Sequence, residues 1–529
     1  MTLTGLPTPG DGTSRLREAL LAASFTPDGL LKLLGRPARA ALARGETAPA
    51  LHALHGAGED PLAVLLRLFL LRLPVPEGPA ARAALPLDAA LADGWLERDG
   101  GALRATVEIR PYENAEGQDW YAVSDGHGAG VPGADPGPAA GRRDAVLGPG
   151  GASATLAALT VRTPVARALD LGTGCGVQAL HATRHAGSVT ATDVNTRALR
   201  MTALTLALSA APPADLRAGS LFDPVTGATG GNAPAPRDGT EPPGFGLIVS
   251  NPPFVISPAR PTGPTPGLTY RDAGLPGDAL CRSLVTRSAA HLAEGGHCQL
   301  LANWQHVEGE DWRERVAAWV PPGCDAWIVQ RETQDVTEYT ELWLRDAGAH
   351  RGDPAAYRAA YAAWLTEFAE RRTHAVGFGW ITLRRSGTRT PSVLVEDWPH
   401  AVAQPLGESV RAHFERQDFL RDHADPAALL SRRYLLAEGV AQEQIGAPGA
   451  EDPEHVLLRQ RDGMMRARPM DTVGAGFAGS CDGTLPAGTI LDAIASLLGE
   501  DPAALRERAP AWLRPLVEQG FLLPAPPAG

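Results

Sequence analysis

Two patterns of apolar and polar positions follow each other repeatedly in the middle of the chain, between about residues 144 and 304. Short apolar runs of strand length are each followed by a segment in which apolar residues recur at helical spacing. The predicted strands are Ala166–Leu171, Ser188–Asp193, Gly246–Ser250 and His297–Ala302, and the predicted helices are Gln178–His185, Thr196–Ser209 and Asp278–Leu292. Strand–helix repeats of this length predict a doubly wound, mainly parallel α/β sheet.

The pattern beyond residue 304 adds two strands and one helix. Trp327–Gln330 and Phe378–Arg384 have strand-like patterns, and we expect them to be antiparallel edge strands of the sheet. Pro354–Arg372 has the spacing of a helix inserted between them. We therefore assign residues 116–400 to a single sheet domain.

The N-terminal flank, residues 1–115, is mostly helical and ends in a hairpin. Ser14–Ser24 has helical spacing, and the runs Trp95–Arg98 and Leu103–Arg110 alternate on either side of an Asp-Gly-Gly turn. Helices followed by a two-stranded hairpin resemble a winged helix. Such a domain would either dock a substrate or cover the sheet as a structural cap.

The C-terminal flank, residues 401–529, is expected to be mainly helical, with a second winged-helix-like unit at residues 485–524. A third segment, Asp125–Gly141, is rich in Gly, Pro and Ala. Because such a composition buries little apolar surface, we expect a loop there that does not order itself.

The amino-acid composition excludes several classes of protein. The 529 residues carry a formal net charge of −12, which provides no general basic surface for a polyanion. Five cysteines without a Cys-x-x-Cys pair exclude a disulfide scaffold and the common zinc ribbons, and the histidines show no metal-binding spacing. The longest apolar stretch, near Ala63–Val75, is interrupted by Arg67 and Arg72, which favours a buried helix over a membrane span. We expect a soluble cytoplasmic protein with no metal and no membrane partner.

A glycine-rich loop follows the first predicted strand of the sheet. The loop residues that we consider for ligand binding are Asp170, Gly172, Thr173, Gly174, Cys175 and Gly176. Glycines there let the backbone turn sharply and let a ligand approach it closely. The dinucleotide pattern requires a third glycine where Val177 stands, and the carboxylate of Asp170 would repel a pyrophosphate. A cofactor that carries a positive charge fits this loop better.

The ends of the next two strands provide further ligand candidates. Asp193 lies about 20 residues beyond the glycines, where a carboxylate can accept hydrogen bonds from both hydroxyls of a ribose. Val194 and Asn195 follow it, and Asn195 is alternatively the N-cap of the next helix. A further group of candidates consists of Ser220, Leu221 and Phe222. These residues either flank an adenine ring or form a plain turn.

Asn251-Pro252-Pro253-Phe254 ends a buried strand. Two successive prolines fix the backbone and remove two N–H donors, so the Asn251 amide oxygen and the neighbouring carbonyls become rigid acceptors. Two acceptors that face one amino group hold its nitrogen lone pair toward an electrophile. Phe254 adds a flat face for a planar substrate.

The motifs of class I S-adenosylmethionine-dependent N-methyltransferases resemble three parts of this sequence, Asp170–Gly176, Asp193 and Asn251–Phe254. The resemblance covers about residues 144–304. The two most similar branches are the rRNA guanine-N2 and adenine-N6 enzymes and the release-factor glutamine-N5 enzymes. The resemblance implies a Rossmann-like, doubly wound, seven-stranded methyltransferase sheet with helical, winged-helix-like flanking domains. It also implies S-adenosyl-L-methionine as the cofactor.

The resemblance also implies that Gly172, Gly174 and Asp193 bind the cofactor. The residues expected to contact the cofactor are Asp170, Gly172, Thr173, Gly174, Cys175, Gly176, Asp193, Val194, Asn195, Ser220, Leu221, Phe222 and Asn251. Asn251, Pro252, Pro253 and Phe254 are expected to hold the target amine. Phe254, Tyr270 and Arg271 are expected to border the substrate, because Tyr270-Arg271 resembles the segment that follows the motif in the guanine-N2 branch.

Four functions remain open for the sequence. The first is methylation of a base in RNA, in particular rRNA or a ribosomal particle, with the flanks as docking modules. The second is methylation of a protein glutamine, which an acidic enzyme would suit. The third is methylation of a small molecule. The fourth is a regulator that binds S-adenosylmethionine and reads DNA with its winged helices, although such a sensor needs no amine-holding motif.

Overall fold

The computed structural model describes residue 7 and the ranges 9–113, 117–126, 144–226, 244–258, 275–448 and 454–526. The chain forms two compact units. The first consists of Met1–Ala157 and Thr163–Trp398, and the second of Ala158–Arg162 and Pro399–Gly529. The N-terminal flank thus lies in the same unit as the sheet, and its separation as a domain at residue 115 stays a prediction.

An eight-stranded sheet forms the centre of the first unit, in the order β13-β11-β12-β10-β9-β6-β7-β8. Its strands are β6 (Val165–Leu171), β7 (Ala186–Asp193), β8 (Asp215–Ala218), β9 (Phe245–Ser250), β10 (Leu292–Val307), β11 (Cys324–Asp335), β12 (Thr373–Arg385) and β13 (Val393–Asp397). The helices around it are α7 (Gly151–Leu159), α8 (Val177–Ala182), α9 (Thr196–Leu208), α10 (Ala279–Ser288), α11 (Trp312–Ala317), α12 (Val336–Asp346) and α13 (Pro354–Glu370).

The predicted α/β sheet is confirmed, with two corrections. Strands β6 to β10 pair in parallel, and β12 is antiparallel to both neighbours, as the pattern predicts. The expectation of seven strands is wrong, because Val393–Asp397 adds an eighth strand parallel to β11. The expectation of edge strands is also wrong, because β11 lies between β13 and β12, and β12 lies between β11 and β10. The sequence did not reveal β13 because it is short and only partly buried.

The N-terminal region contains helices and two small sheets. Its helices are α1 (Asp11–Ala22), α2 (Pro27–Ala43), α3 (Ala48–Ala53), α4 (Pro61–Leu65), α5 (Glu77–Arg82) and α6 (Leu87–Ala92), and its strands are β1 (Val75–Pro76), β2 (Leu96–Asp99), β3 (Ala102–Ala105), β4 (Glu108–Tyr112) and β5 (Trp120–Ser124). The predicted hairpin is confirmed, because β2 and β3 pair antiparallel on either side of Gly100 and Gly101. Both glycines have positive φ, as the two-residue turn requires.

One hydrophobic core joins this region to the sheet. Leu16 and Leu20 of α1 pack in the same buried cluster as Met201 and Leu204 of α9. Most apolar residues of the stretch around Phe69 lie buried in that cluster, as the sequence predicts, whereas Leu73 is only partly buried. None of the helices in the described ranges has both the length and the hydropathy that spanning a bilayer requires.

A buried ion pair also connects β5 to α9. The Arg197 side chain donates to both carboxylate oxygens of Asp125, with Nε 2.8 Å from Oδ2, and Asp125 is completely buried. Asp125 Oδ2 also accepts a hydrogen bond from Val146 N at 2.9 Å. Arg72 Nη1 donates to the Asp125 carbonyl oxygen at 3.0 Å. The expected loop at Asp125–Gly141 therefore begins with a buried, fixed residue; residues 127–141 lie outside the described ranges.

The second unit is built from short helices and two three-stranded sheets. Its helices are α14 (Gly407–Asp422), α15 (Pro426–Leu430), α16 (Thr472–Gly479), α17 (Ala487–Leu498), α18 (Pro502–Arg508) and α19 (Pro510–Glu518), and its strands are β14 (Arg433–Leu436), β15 (Val440–Ile445), β16 (His455–Gln460), β17 (Ala467–Met470), β18 (Asp482–Pro486) and β19 (Leu522–Pro524). The sheet orders are β18-β14-β19 and β15-β16-β17. The unit has more strand than the sequence predicted, and its winged-helix character stays a prediction.

The Asp125–Arg197 pair should dominate the stability of the first unit. Asp125→Ala leaves the buried Arg197 guanidinium without a counter-charge, and we expect the free energy of unfolding to fall by about 3–5 kcal/mol. Urea denaturation of the full chain measures this change. The control is Arg39→Ala, which removes an exposed ion pair with Glu113 and should cost at most about 1 kcal/mol. Equal losses in the two variants would contradict the prediction.

Candidate active site

A cavity of about 600 Å³ lies at the carboxyl ends of β6, β7, β8 and β9. This is where ligands bind in doubly wound sheets, beside the point at which the strand order reverses, here between β6 and β9. Besides the predicted residues discussed below, the cavity is lined by residues of the strip before α7 and of α7 itself, by α10 and by α12. These include Ala145, Val146, Leu147, Gly148, Ser153, Leu280, Leu284, Trp343 and Asp346.

The glycine loop leaves open space against its backbone. Gly172 and Gly174 have φ of +75° and +57°, which favours glycine at both positions. A Cβ added at either position would meet no atom within 4 Å, so both backbones face free volume. The amides of Gly172 and Thr173 both donate to the Thr192 carbonyl oxygen of β7 at 2.9 Å. The loop is therefore fixed while its cavity side stays accessible.

Asp170 stabilises this loop from below. Its Oδ2 accepts hydrogen bonds from Thr173 Oγ1 at 2.6 Å and from Ala179 N at 2.9 Å, and the side chain is 1 % exposed. Burial raises the pKa of the Asp170 carboxyl to about 7, against these two hydrogen bonds, which lower it. Asp170 thus lines the cavity and also attaches the loop to α8.

Asp193 lies on the cavity wall at the end of β7. Its Oδ2 accepts from Gly174 N at 3.0 Å and its Oδ1 from Asn195 N at 2.8 Å. Burial raises the pKa of this carboxyl, and the backbone hydrogen bonds oppose the shift. Val194, more than half exposed, also lines the cavity. A carboxylate held by two backbone amides keeps the orientation that a pair of ligand hydroxyls would require.

Asn195 combines both roles considered for it. Its Oδ1 accepts from Arg197 N at 3.0 Å, which makes it the N-cap of α9. Its Nδ2 donates to the Asp144 carbonyl oxygen at 2.9 Å, and the residue also lines the cavity. Asn195 therefore positions the strip at residues 144–148, which forms part of the same wall.

Two of the predicted cofactor residues lie outside the cavity. Gly176 is the N-cap of α8, and a Cβ there would come within 2.8 Å of Thr202 on α9, so this glycine permits helix packing. Phe222 is completely buried and stacks on His291 with ring centroids 4.4 Å apart. The apolar ring is held in the core behind the turn, while Ser220 and Leu221 do line the cavity. Cys175 lines it as well, with burial raising the pKa of its thiol to about 12.

The Asn-Pro-Pro-Phe segment forms another side of the cavity, and all four of its residues line it. Just before it, Ser250 Oγ donates to the Leu171 carbonyl oxygen at 2.8 Å, which joins the ends of β9 and β6. Within the part of the chain that the structure describes, the Asn251 side chain makes no hydrogen bond, so its amide oxygen and N–H groups are available to a ligand. Tyr270 and Arg271, predicted beside this segment, lie outside the described residues.

Tyr339 of α12 anchors the chain directly after this segment, a role that the sequence analysis missed. Its hydroxyl accepts hydrogen bonds from Ile256 N at 2.9 Å and from Asn303 Nδ2 at 3.1 Å, and the side chain is completely buried. Burial raises the pKa of this phenol, so Tyr339 stays neutral. Because 83 residues separate it from Ile256, no local sequence pattern could have indicated the contact.

Cavity residues on α12 were also missed. Trp343 and Asp346 line the cavity, whereas the sequence predicted only one helix, Pro354–Arg372, between these two strands. The Trp343 ring lies 6.1 Å from that of Tyr339, in an edge-on arrangement. Among the described residues, no group of three or more His, Cys, Asp or Glu side chains could hold a metal ion.

Two family models match the flanks of the chain. "Domain of unknown function (DUF7059)" matches residues 22–106, and "Domain of unknown function (DUF7782)" matches residues 411–524. Neither range includes a residue of the cavity. No curated protein matches the chain.

Solved structures similar to this chain include three methyltransferases. An rRNA methylase from Streptococcus thermophilus is 13% identical, with 44% of this chain and 92% of that chain covered and a TM-score of 0.24. A 16S rRNA N2 methyltransferase from T. thermophilus, in complex with AdoMet and guanosine, is 18% identical over 44% and 55% of the two chains, with a TM-score of 0.21. A putative sarcosine dimethylglycine methyltransferase from Galdieria sulphuraria is 13% identical over 44% and 82%, with a TM-score of 0.25. Similarities of this size carry no conclusion about substrate.

Proposed function

We propose that this chain is an S-adenosylmethionine-dependent N-methyltransferase that methylates an amino group on an sp² carbon, with a base in RNA as the acceptor. The observation that supports this most directly is one shared cavity. The glycine loop, the Asp193 carboxylate and the unbonded Asn251 side chain all line it, together with the flat ring of Phe254. A cofactor site and an amine-holding site are thereby adjacent.

The cavity suits S-adenosylmethionine in size, shape and charge. A volume of about 600 Å³ is typical of small-ligand sites, and the open space beside Gly172 and Gly174 admits a ligand against the backbone. Asp193 would accept hydrogen bonds from the ribose hydroxyls. Asp170, when ionised, adds negative charge that favours a cationic ligand. Bound S-adenosylmethionine would supply an electrophilic methyl group on a sulfonium.

The residues of the chain would catalyse the transfer by alignment. The Asn251 amide oxygen and the Pro252 carbonyl oxygen accept hydrogen bonds from the target amino group and favour the positive charge that develops on its nitrogen. Phe254 stacks on the planar group that bears the amine. Since the methylated nitrogen is acidic before it loses its proton, a strong general base is unnecessary. Tyr339 fixes the segment that carries these acceptors.

RNA is the first candidate acceptor, and a protein glutamine is the second. Phe254 offers a stacking face that suits a base. The rRNA branch, which the sequence resembles, also has Phe at this position of the motif. The net charge of −12 favours the glutamine alternative, because phosphate contacts require local positive charge.

The acceptor can be identified by labelling. Purified protein is incubated with radiolabelled S-adenosylmethionine and with a lysate of a strain that lacks this protein. The products are then treated with RNase or with protease. We expect RNase to release the label. If only protease releases the label, the acceptor is a protein glutamine and not RNA. If the label is found in a low-molecular-weight fraction that neither RNase nor protease affects, the acceptor is a small molecule. A complete lack of transfer would contradict the proposed function.

Two substitutions should separate cofactor binding from catalysis. Asn251→Ala should lower turnover about 10²–10³-fold with little change in cofactor affinity, since it removes an acceptor for charge that develops during transfer. Asp193→Ala should weaken S-adenosylmethionine binding about 10–100-fold, because a charge-assisted hydrogen-bonding group is lost. Calorimetry and the labelling assay measure the two effects. Asp215→Ala, at the opposite end of β8, is the control and should change neither quantity.

Cofactor affinity should depend on pH through Asp170. Its carboxyl, with a pKa of about 7, is neutral below that pH and ionised above it. Ionisation favours a cationic ligand, so affinity for S-adenosylmethionine should rise about tenfold from pH 6 to pH 8, the size of a charge interaction over several Å. S-Adenosylhomocysteine, which lacks the sulfonium charge, should show no such rise. In Asp170→Asn, the affinities for the two ligands should depend on pH in the same way. A difference in pH dependence that persists in this variant would refute the role of Asp170.

A further inference from the structure

Helix α12 brings two aromatic side chains, Tyr339 and Trp343, to the end of the Asn-Pro-Pro-Phe segment. Residues four positions apart lie on the same side of a helix, one turn from each other. The Tyr339 hydroxyl accepts a hydrogen bond from Ile256 N at 2.9 Å, and the Tyr339 ring lies 6.1 Å from the Trp343 ring. Ile256 follows Phe254 by two residues. Trp343 is therefore held close to the chain that follows the motif.

Trp343 and Phe254 reach the cavity from two different hydrophobic clusters. Trp343 packs against the cluster that contains Ile256 and Tyr339. Phe254 packs against the larger cluster that contains Leu280 of α10. Both side chains are only partly buried, and both line the cavity. The cavity thus has two aromatic side chains with accessible surface, and separate parts of the core support them.

Packing alone does not account for the position of Trp343. Trp364 of α13 packs against the same cluster, and its ring also lies 6.1 Å from the Tyr339 ring. Trp364 is not among the residues that line the cavity. Both tryptophans therefore support Tyr339, and of the two only Trp343 also offers a ring surface to a ligand in the cavity.

The chemistry of α12 suits a planar ring better than a phosphate. Aromatic side chains stack on any nucleobase, because every base has a flat face. The helix carries the carboxylates of Glu338, Glu341 and Asp346 and one arginine, Arg345, which pairs with Glu341. Asp346 lines the cavity three residues after Trp343. Negative charge at this wall repels a phosphate, so the ring of an acceptor fits here and its phosphate groups do not.

We propose that Trp343 is an acceptor-binding residue, whose indole stacks on the heteroaromatic ring that bears the target amine and forms a second stacking surface besides Phe254. The inference rests on the proposed function, because it takes the side of the cavity beside Asn251 as the acceptor side. It favours a nucleobase over a glutamine side chain, which has no ring to stack. Two aromatic contacts would also restrict the orientation of the base, which helps to align its amino group.

Binding of nucleosides to the full chain, saturated with S-adenosylhomocysteine, tests this role without methyl transfer. Saturation keeps adenosine out of the cofactor site, and nucleosides carry no phosphate. Each of the four ribonucleosides is titrated by calorimetry. We expect wild type to bind at least one with a Kd of about 1 mM or tighter, and Trp343→Leu to weaken that binding at least about tenfold, because leucine is apolar but has no flat face. Trp343→Phe should restore most of the affinity.

Trp364→Leu is the matched control, because it removes the other tryptophan beside Tyr339, and it should bind the nucleoside as wild type does. Urea denaturation reports whether each variant folds. Quenching of tryptophan fluorescence by the nucleoside provides a second measurement, and it should be strong in wild type and much weaker in Trp343→Phe. No nucleoside binding by wild type, equal affinity in wild type and folded Trp343→Leu, or unchanged quenching in Trp343→Phe would overturn the inference.

The labelling assay separates this inference from the proposed function. Methyl transfer to RNA, together with nucleoside binding that Trp343→Leu does not change, would support the proposed function and reject the role of Trp343. Nucleoside binding that depends on Trp343, together with a lack of methyl transfer to any acceptor, would reject the proposed function and support the aromatic binding site.

Discussion

The buried pair of Asp125 and Arg197 is the interaction on which the first unit most depends. A carboxylate with no exposed surface needs a cation and hydrogen-bond donors, and Arg197 and Val146 N meet that need. Arg72 holds the same residue by its carbonyl oxygen. Because Arg197 belongs to the first turn of α9 and Val146 lines the cavity, one charge pair fixes the N-terminal region, the helix after β7 and a wall of the candidate active site. Stability and site geometry are coupled there.

The electrostatics of the cavity follow from burial as much as from charge. Asp170 and Asp193 are both held by backbone amides, which favours their ionised forms, yet burial raises the pKa of each. A site in which carboxylates are costly to ionise gains more from a cationic ligand than an exposed site would, because the ligand replaces missing solvation. This is the physical reason to connect the fixed glycine loop with a sulfonium-bearing cofactor and not with a pyrophosphate.

The predictable part of the site is the part encoded locally. Strands β6, β7 and β9, the glycine loop and the Asn-Pro-Pro-Phe segment are predictable because a short apolar run ends in glycine, aspartate or asparagine-proline at a strand end. The unpredicted part depends on long-range packing. Tyr339 reaches Ile256 from a distant helix, and Asp125 appeared to begin a disordered, Gly-rich loop although tertiary contacts bury it. The Phe222 side chain lies in the core and not on the cavity wall, which the sequence could not indicate because it does not say which side of a turn faces the core.

The insertion that carries α12 and α13 determines how the proposed acceptor side of the cavity differs from its proposed cofactor side. The proposed cofactor side is made by strand ends and their loops, whose geometry the sheet imposes. The proposed acceptor side combines Asn251 and Phe254 with Trp343 and Asp346 of α12. Tyr339, also on α12, accepts a hydrogen bond from Ile256 N and so fixes the chain two residues after Phe254. A change in α12 would therefore alter the lining of the proposed acceptor side and its support at once, while the glycine loop would stay intact. Under the proposed function, acceptor specificity can thus change without loss of the cofactor site.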